Sequence, residues 1–171
     1  MSRPKRLLTH NYVGRALYFL TFCTYKRRKA FSDSEVAART LEQFRRTAAI
    51  EQFAILAYCL MPDHAHLLVQ GTAETSDLKR FAKMAKQRSG GIHRRQCGVR
   101  LWQEGYFERV LRDGDDVQEI ARYIVENPIR AGLGDGYPHV EGLAPLLATR
   151  QRRAGPVLRT RRVWFALYGG S

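Results

Sequence analysis

Acidic residues are scarce in this 171-residue chain: 16 Asp plus Glu stand against 29 Lys plus Arg, a formal charge of +13. That deficit is far from the balance of a typical small-metabolite enzyme and points to a polyanionic partner, most simply nucleic acid. A solvated basic surface and an anionic membrane surface are the alternatives on composition alone. Cysteine is also sparse. Cys23, Cys59 and Cys97 are odd in number, far apart and without a Cys-x-x-Cys pair, which argues against a disulfide framework or a cysteine zinc site. They read as reduced thiols, at least two of them in strands. No stretch approaches the roughly 18 consecutive apolar residues of a membrane span, and the opening residues lead into no secretion-signal core. The expectation is a soluble, cytoplasmic protein without a membrane partner. Hydrophobic residues make up 44%, enough for one core of ordinary size.

Local patterns supply the elements. Tyr18 to Thr24 is aromatic and β-branched, a strand stopped by the basic turn from Lys26 to Lys29. Ser32 and Glu35 have the form of a capping box, and Ala37, Leu41, Phe44 and Ala48 recur on one helical face, predicting a helix over Ser34 to Glu51. Phe53 to Leu60 and His64 to Gln70 form a hairpin about Pro62 and Asp63. Leu78, Phe81, Ala82 and Ala85 predict a second helix, capped by Ser76 or Asp77 and closed by Ser89, Gly90 and Gly91. Tyr106 to Arg112 reads as a strand. Asp115 or Asp116 caps a third helix, with Val117, Ile120, Ala121 and Ile124 as its apolar face and Pro128 as its end.

The order predicts an α+β fold: a ferredoxin-like βαββαβ antiparallel sheet plus an extra C-terminal helix, with helices on one face and the other free for a ligand. The domain is expected over residues 1–133. Residues 134–171 read as a Gly/Pro/Arg-rich basic tail carrying Arg150, Arg152, Arg153, Arg159, Arg161 and Arg162, with Val163, Trp164 and Phe165 among them.

His64 and His66, two apart in a strand, point to one side and make half of a metal site; a chance surface pair has the same spacing. Tyr123 and Asn127 stack one turn apart on the third helix, where a half-buried core aromatic and an ordinary helix-end residue are the plainer reading.

Three strings change the weighing. Cys59-Leu-Met-Pro-Asp-His-Ala-His-Leu-Leu-Val69, Leu101-Trp-Gln-Glu-Gly-Tyr-Phe107 and Tyr123-Ile-Val-Glu-Asn-Pro-Ile-Arg-Ala-Gly132 closely resemble the REP-associated tyrosine transposases, which belong with the HUH-class single-strand insertion-sequence transposases. The resemblance runs from about Tyr18 to Leu133. It implies that His64, Ala65 and His66 are the family's histidine, hydrophobe, histidine motif, that Tyr123 is the nucleophile, and that Asn127 stands in the place of a third polar metal ligand. Ala65 is smaller than the bulky aliphatic residue expected there. Tyr106, in its own motif, is the rival nucleophile; its alternative is a core or base-stacking aromatic, and Trp102 reads as core.

In that family the tyrosine hydroxyl attacks a phosphodiester of single-stranded DNA, giving a 5′-phosphotyrosine bond and a free 3′ hydroxyl. A free tyrosine, with a pKa near 10, is a poor nucleophile at neutral pH, and no base partner is identifiable from sequence. Two imidazoles plus an amide oxygen suit Mg²⁺ or Mn²⁺, and Asp63 is either an outer support for a histidine or a turn cap. Lys26, Arg27, Arg28 and Lys29, the stripe Lys79, Lys83 and Lys86, and the tail arginines are the candidate DNA contacts; each is equally a solvated face. The resemblance implies hairpin-forming palindromic DNA as partner, with the protein as monomer or homodimer. A non-catalytic hairpin-binding regulator and a metal-binding structural domain are the competing readings.

Overall fold

The computed structural model describes residues 12–112, 114–134 and 137–142. Five strands, β1 (Leu17–Cys23), β2 (Phe53–Met61), β3 (His64–Gly71), β4 (Phe107–Leu111) and β5 (Val140–Gly142), form one sheet in the order β4-β1-β3-β2-β5. Every pairing is antiparallel. Because β1 and β2 both oppose β3, they run parallel to each other with β3 between them and helix α1 (Ser34–Ile50) as their crossover.

The central strands are apolar on both faces because both faces are covered. Tyr18, Leu20 and Phe22 of β1 and Ala65, Leu67 and Val69 of β3 pack against α1 and α2 (Leu78–Cys97). The alternate residues Phe19 and Leu68 pack with Ile120, Ala121 and Ile124 of α3 (Val117–Arg130). The expectation of one open sheet face is therefore corrected. The apolar stripe of α3 needs burial, and the face bearing Phe19, Cys59, Met61 and Leu68 supplies it.

Element ends also differ from the sequence reading. Asp33, not Ser32, caps α1, accepting from the Glu35 and Val36 N–H groups. Helix α2 passes through Gly90 and Gly91 and stops at Gly98, whose φ of +72° is the left-handed C-cap. Gly90 lets the Trp102 indole approach the helix: a Cβ there would lie 3.3 Å from its Cδ1. The indole N–H donates to Ser89 Oγ at 2.9 Å, which binds the pair into the core. Pro128 lies inside α3, which continues to Arg130. Strand β5 lies beyond the expected domain limit at residue 133 and pairs with Ala57 to Cys59, so the sheet includes residues assigned to the tail.

Candidate active site

Strand alternation and register build the site. Thr21 stands opposite His66 and Cys23 opposite His64, with all four side chains directed to the α3 face. The two Nε2 atoms are 3.1 Å apart. Each ring is held from its other nitrogen: Asp63 Oδ1 lies 2.6 Å from His64 Nδ1, and Thr21 Oγ1 lies 2.9 Å from His66 Nδ1. His66 is buried, and burial, with His64 and Arg27 nearby, drives its pKa well below the ordinary histidine value. It is a neutral imidazole at neutral pH, the form a metal requires.

Helix α3 brings Tyr123 to this pair. Its ring centroid is 6.1 Å from that of His66 and 6.4 Å from that of Phe19, which itself stacks on His66 at 5.3 Å. The Arg130 guanidinium lies over the tyrosine ring, 5.6 Å from its centroid. Asn127 follows one turn beyond Tyr123 on the same flank, partly buried. Tyr106 is elsewhere: its ring packs on Phe22 at 5.7 Å, within the core on the opposite face of the sheet.

The donor set fits a small divalent cation. Two nitrogens at about 2.1 Å from one octahedral ion and at right angles to each other stand about 3.0 Å apart, close to the separation observed here. Among the described residues no group of three His, Cys, Asp or Glu converges, so a closed structural zinc site is not what these side chains make.

With this geometry established, sequence comparison decides the family: the profile described as "Transposase IS200 like" matches residues 12–127. The chain belongs to the IS200-like transposase family. A Haemophilus influenzae protein assigned as a REP-associated tyrosine transposase is 26% identical over 129 residues, 68% of this chain and 72% of the relative. Among solved structures, a REP-associated tyrosine transposase bound to a REP hairpin is similar with a TM-score of 0.64 and 21% identity, over 78% of this chain and 76% of that one. A Deinococcus radiodurans protein assigned as a transposase is similar with a TM-score of 0.50 and 24% identity, over 74% and 97% of the two chains. The mixed α/β fold, which among the described residues is an antiparallel five-stranded sheet with three α-helices, is similar to that of the first of these structures.

The basic side chains expected to contact DNA differ in their surroundings. Lys26, Arg28 and Lys29 are exposed on the turn after β1, at the histidine end of the sheet, and Lys83 is exposed on α2. Lys79 lies over the Tyr12 ring at 4.9 Å. Two others have partners within the protein. Arg27 Nε is 3.0 Å from Asp63 Oδ2. The Lys86 ammonium donates to the carbonyls of Gln103, at 2.9 Å, and Gly105, so it ties α2 to the loop before β4. Burial, reinforced by Arg100, lowers the Lys86 pKa to about 8. The tail arginines from Arg150 to Arg162 lie outside the described residues.

Thr21 and Phe19 were not assigned to the site by sequence reasoning; Asp63 was, as an outer support for a histidine or a turn cap, but its pairing with Arg27 was not foreseen. Alternation from Leu17 places Thr21 on the same face as Phe19, but only the β1–β3 register identifies His66 as its partner.

Proposed function

We propose that this transposase is a metal-dependent single-strand DNA endonuclease and strand transferase that acts in the cytoplasm on hairpin-forming repeats, with Tyr123 as nucleophile. The observation that carries this reading is the contact of the Tyr123 ring with His66, whose Nε2 faces that of His64, all within one chain. The hairpin bound by the REP-associated relative supports the substrate class. The exposed cations at the histidine end of the sheet give a DNA strand its phosphate contacts.

In the reaction the Tyr123 oxygen attacks phosphorus and the bond from phosphorus to the 3′ oxygen breaks. The phenol proton passes to solvent, and the departing oxygen gains one to become a 3′ hydroxyl. The fragment on the 3′ side of the break is then held through its 5′ phosphate as a phosphodiester of Tyr123, and attack by a 3′ hydroxyl reverses the step without loss of bond energy. His64 and His66, with Asn127 on the neighbouring helix, would hold Mg²⁺ or Mn²⁺, which when bound polarises a non-bridging phosphate oxygen. Phe19 and Tyr123 cover His66, and α3 packs on the face of its own sheet that carries the histidines, which supports action by a single chain.

The test is cleavage of labelled single-stranded hairpins with Mg²⁺, with Mn²⁺ and with chelator. Cleavage only with metal is expected. Cleavage unaffected by chelator contradicts the metal reading, and tight hairpin binding without cleavage across the panel favours a binding-only regulator.

A further inference from the structure

The β1–α1 turn has an unusual backbone. Lys26 and Arg27 are consecutive residues with φ of 54° and 53°, a left-handed conformation that costs side-chain-bearing residues of order 1–3 kcal/mol each. Such strain persists only where the surroundings fix it, and here they do. The Thr24 N–H and hydroxyl donate to the Asp63 carbonyl at 3.0 and 2.9 Å, and the Phe31 N–H donates to the Pro62 carbonyl at 3.0 Å. The turn is thus fastened to the β2–β3 turn that immediately precedes His64. Arg27, half exposed, reaches across the turn so that Nε meets Asp63 Oδ2 and a terminal nitrogen lies 3.0 Å from Cys23 Sγ.

Asp63 therefore bridges two groups, one oxygen on His64 Nδ1 and the other on Arg27 Nε. A carboxylate on the outer nitrogen of an imidazole fixes its tautomer and orientation and raises the basicity of the inner nitrogen. A hydroxyl does the orienting without the charge, and this is what His66 receives from Thr21. The two histidines are consequently unequal: the more exposed one has an anionic support clamped by an arginine, and the buried one has a neutral support.

From this arrangement we infer that Asp63 and Arg27 are positioning residues for His64: Asp63 sets the Nε2 lone pair toward His66, and Arg27, held by the strained turn, keeps Asp63 in place. The inference rests on the metal reading above and deepens it. Arg27 acts through Asp63, while Lys26, Arg28 and Lys29 on the same turn remain available to DNA.

The test uses the full chain at about pH 8, where an ordinary histidine is neutral. Nitrogen-15 correlation spectra of the metal-free protein report the His64 tautomer, and Mn²⁺ titration followed by electron paramagnetic resonance reports affinity. Wild type is expected to carry the proton on His64 Nδ1. Asp63→Ala is expected to mix the tautomers and weaken Mn²⁺ binding on the order of 10- to 100-fold. Asp63→Asn, which keeps an acceptor oxygen but loses the charge, should retain the tautomer with an intermediate affinity. Arg27→Ala leaves the β2–β3 turn chemically intact and should weaken Mn²⁺ binding several-fold, which guards against misfolding of the Asp63 variants. An unchanged tautomer and an affinity within about twofold of wild type in both Asp63→Ala and Arg27→Ala would overturn the positioning role. Absence of Mn²⁺ binding by wild type would overturn the metal reading itself, a distinguishable result.

Discussion

His64 and His66 present their Nε2 atoms to each other across 3.1 Å, each ring fixed from behind at Nδ1. Two neutral imidazoles hold that spacing only with a proton between the facing nitrogens, and a divalent cation can take the place of that proton. The Thr21 hydroxyl can either donate or accept, so it supports whichever nitrogen of His66 carries hydrogen. The pair is thereby ready for either state without rearrangement of the strands.

Thr21→Val keeps the shape of the side chain and removes its hydrogen-bonding group from a buried position. The His66 Nδ1 then loses its partner in the interior, an expected loss of about 1–3 kcal/mol in urea unfolding of the metal-free protein. Mn²⁺ affinity should fall in the same variant.

Stability should decline on the acid side because of His66. Its folded pKa lies well below 6.5, burial being the main cause, so between that value and 6.5 the unfolded chain binds a proton that the native protein does not. Stability therefore rises with pH through this window and levels off above it, with a slope from this group of at most about 1.4 kcal/mol per pH unit. Thermal unfolding in chelator across mildly acidic pH should show a shallower dependence for His66→Gln than for wild type; parallel curves would contradict this assignment.

The basic residues should separate by role. Combined alanine replacement of Lys26, Arg28 and Lys29 should weaken hairpin binding and flatten the log-affinity against log-salt plot by about 0.7 for each single-strand phosphate that is no longer neutralised. Lys86→Met should instead lower the melting temperature, because it releases the Gln103 and Gly105 carbonyls, and should leave the salt slope unaltered.

The sequence made the site residues legible individually but not their relations. His64 and His66 are two apart in a strand, so their common face followed from alternation, and the i, i+4 spacing of Tyr123 and Asn127 followed from the helix. The cover of α3 over the histidine face was not legible. An apolar stripe says that a helix must be buried, not against which side of a sheet, and β5 was too short and its surroundings too rich in glycine to announce a strand. Gly90 and Gly91 gave a false helix end; Gly90 serves the approach of Trp102, a contact with a distant residue. Arg27 read as one basic residue among four, and only its contact with Asp63 distinguishes it.

Attack of Tyr123 on DNA leaves a covalent protein–DNA adduct, which denaturing gels recover. Wild type, Tyr123→Phe, Tyr106→Phe and His64→Ala would each be incubated with labelled hairpin oligonucleotides and Mn²⁺. An adduct is predicted in wild type and Tyr106→Phe, since Tyr106 lies on the far side of the sheet, and none in Tyr123→Phe, with His64→Ala strongly reduced. An adduct of undiminished yield in Tyr123→Phe would contradict the claim.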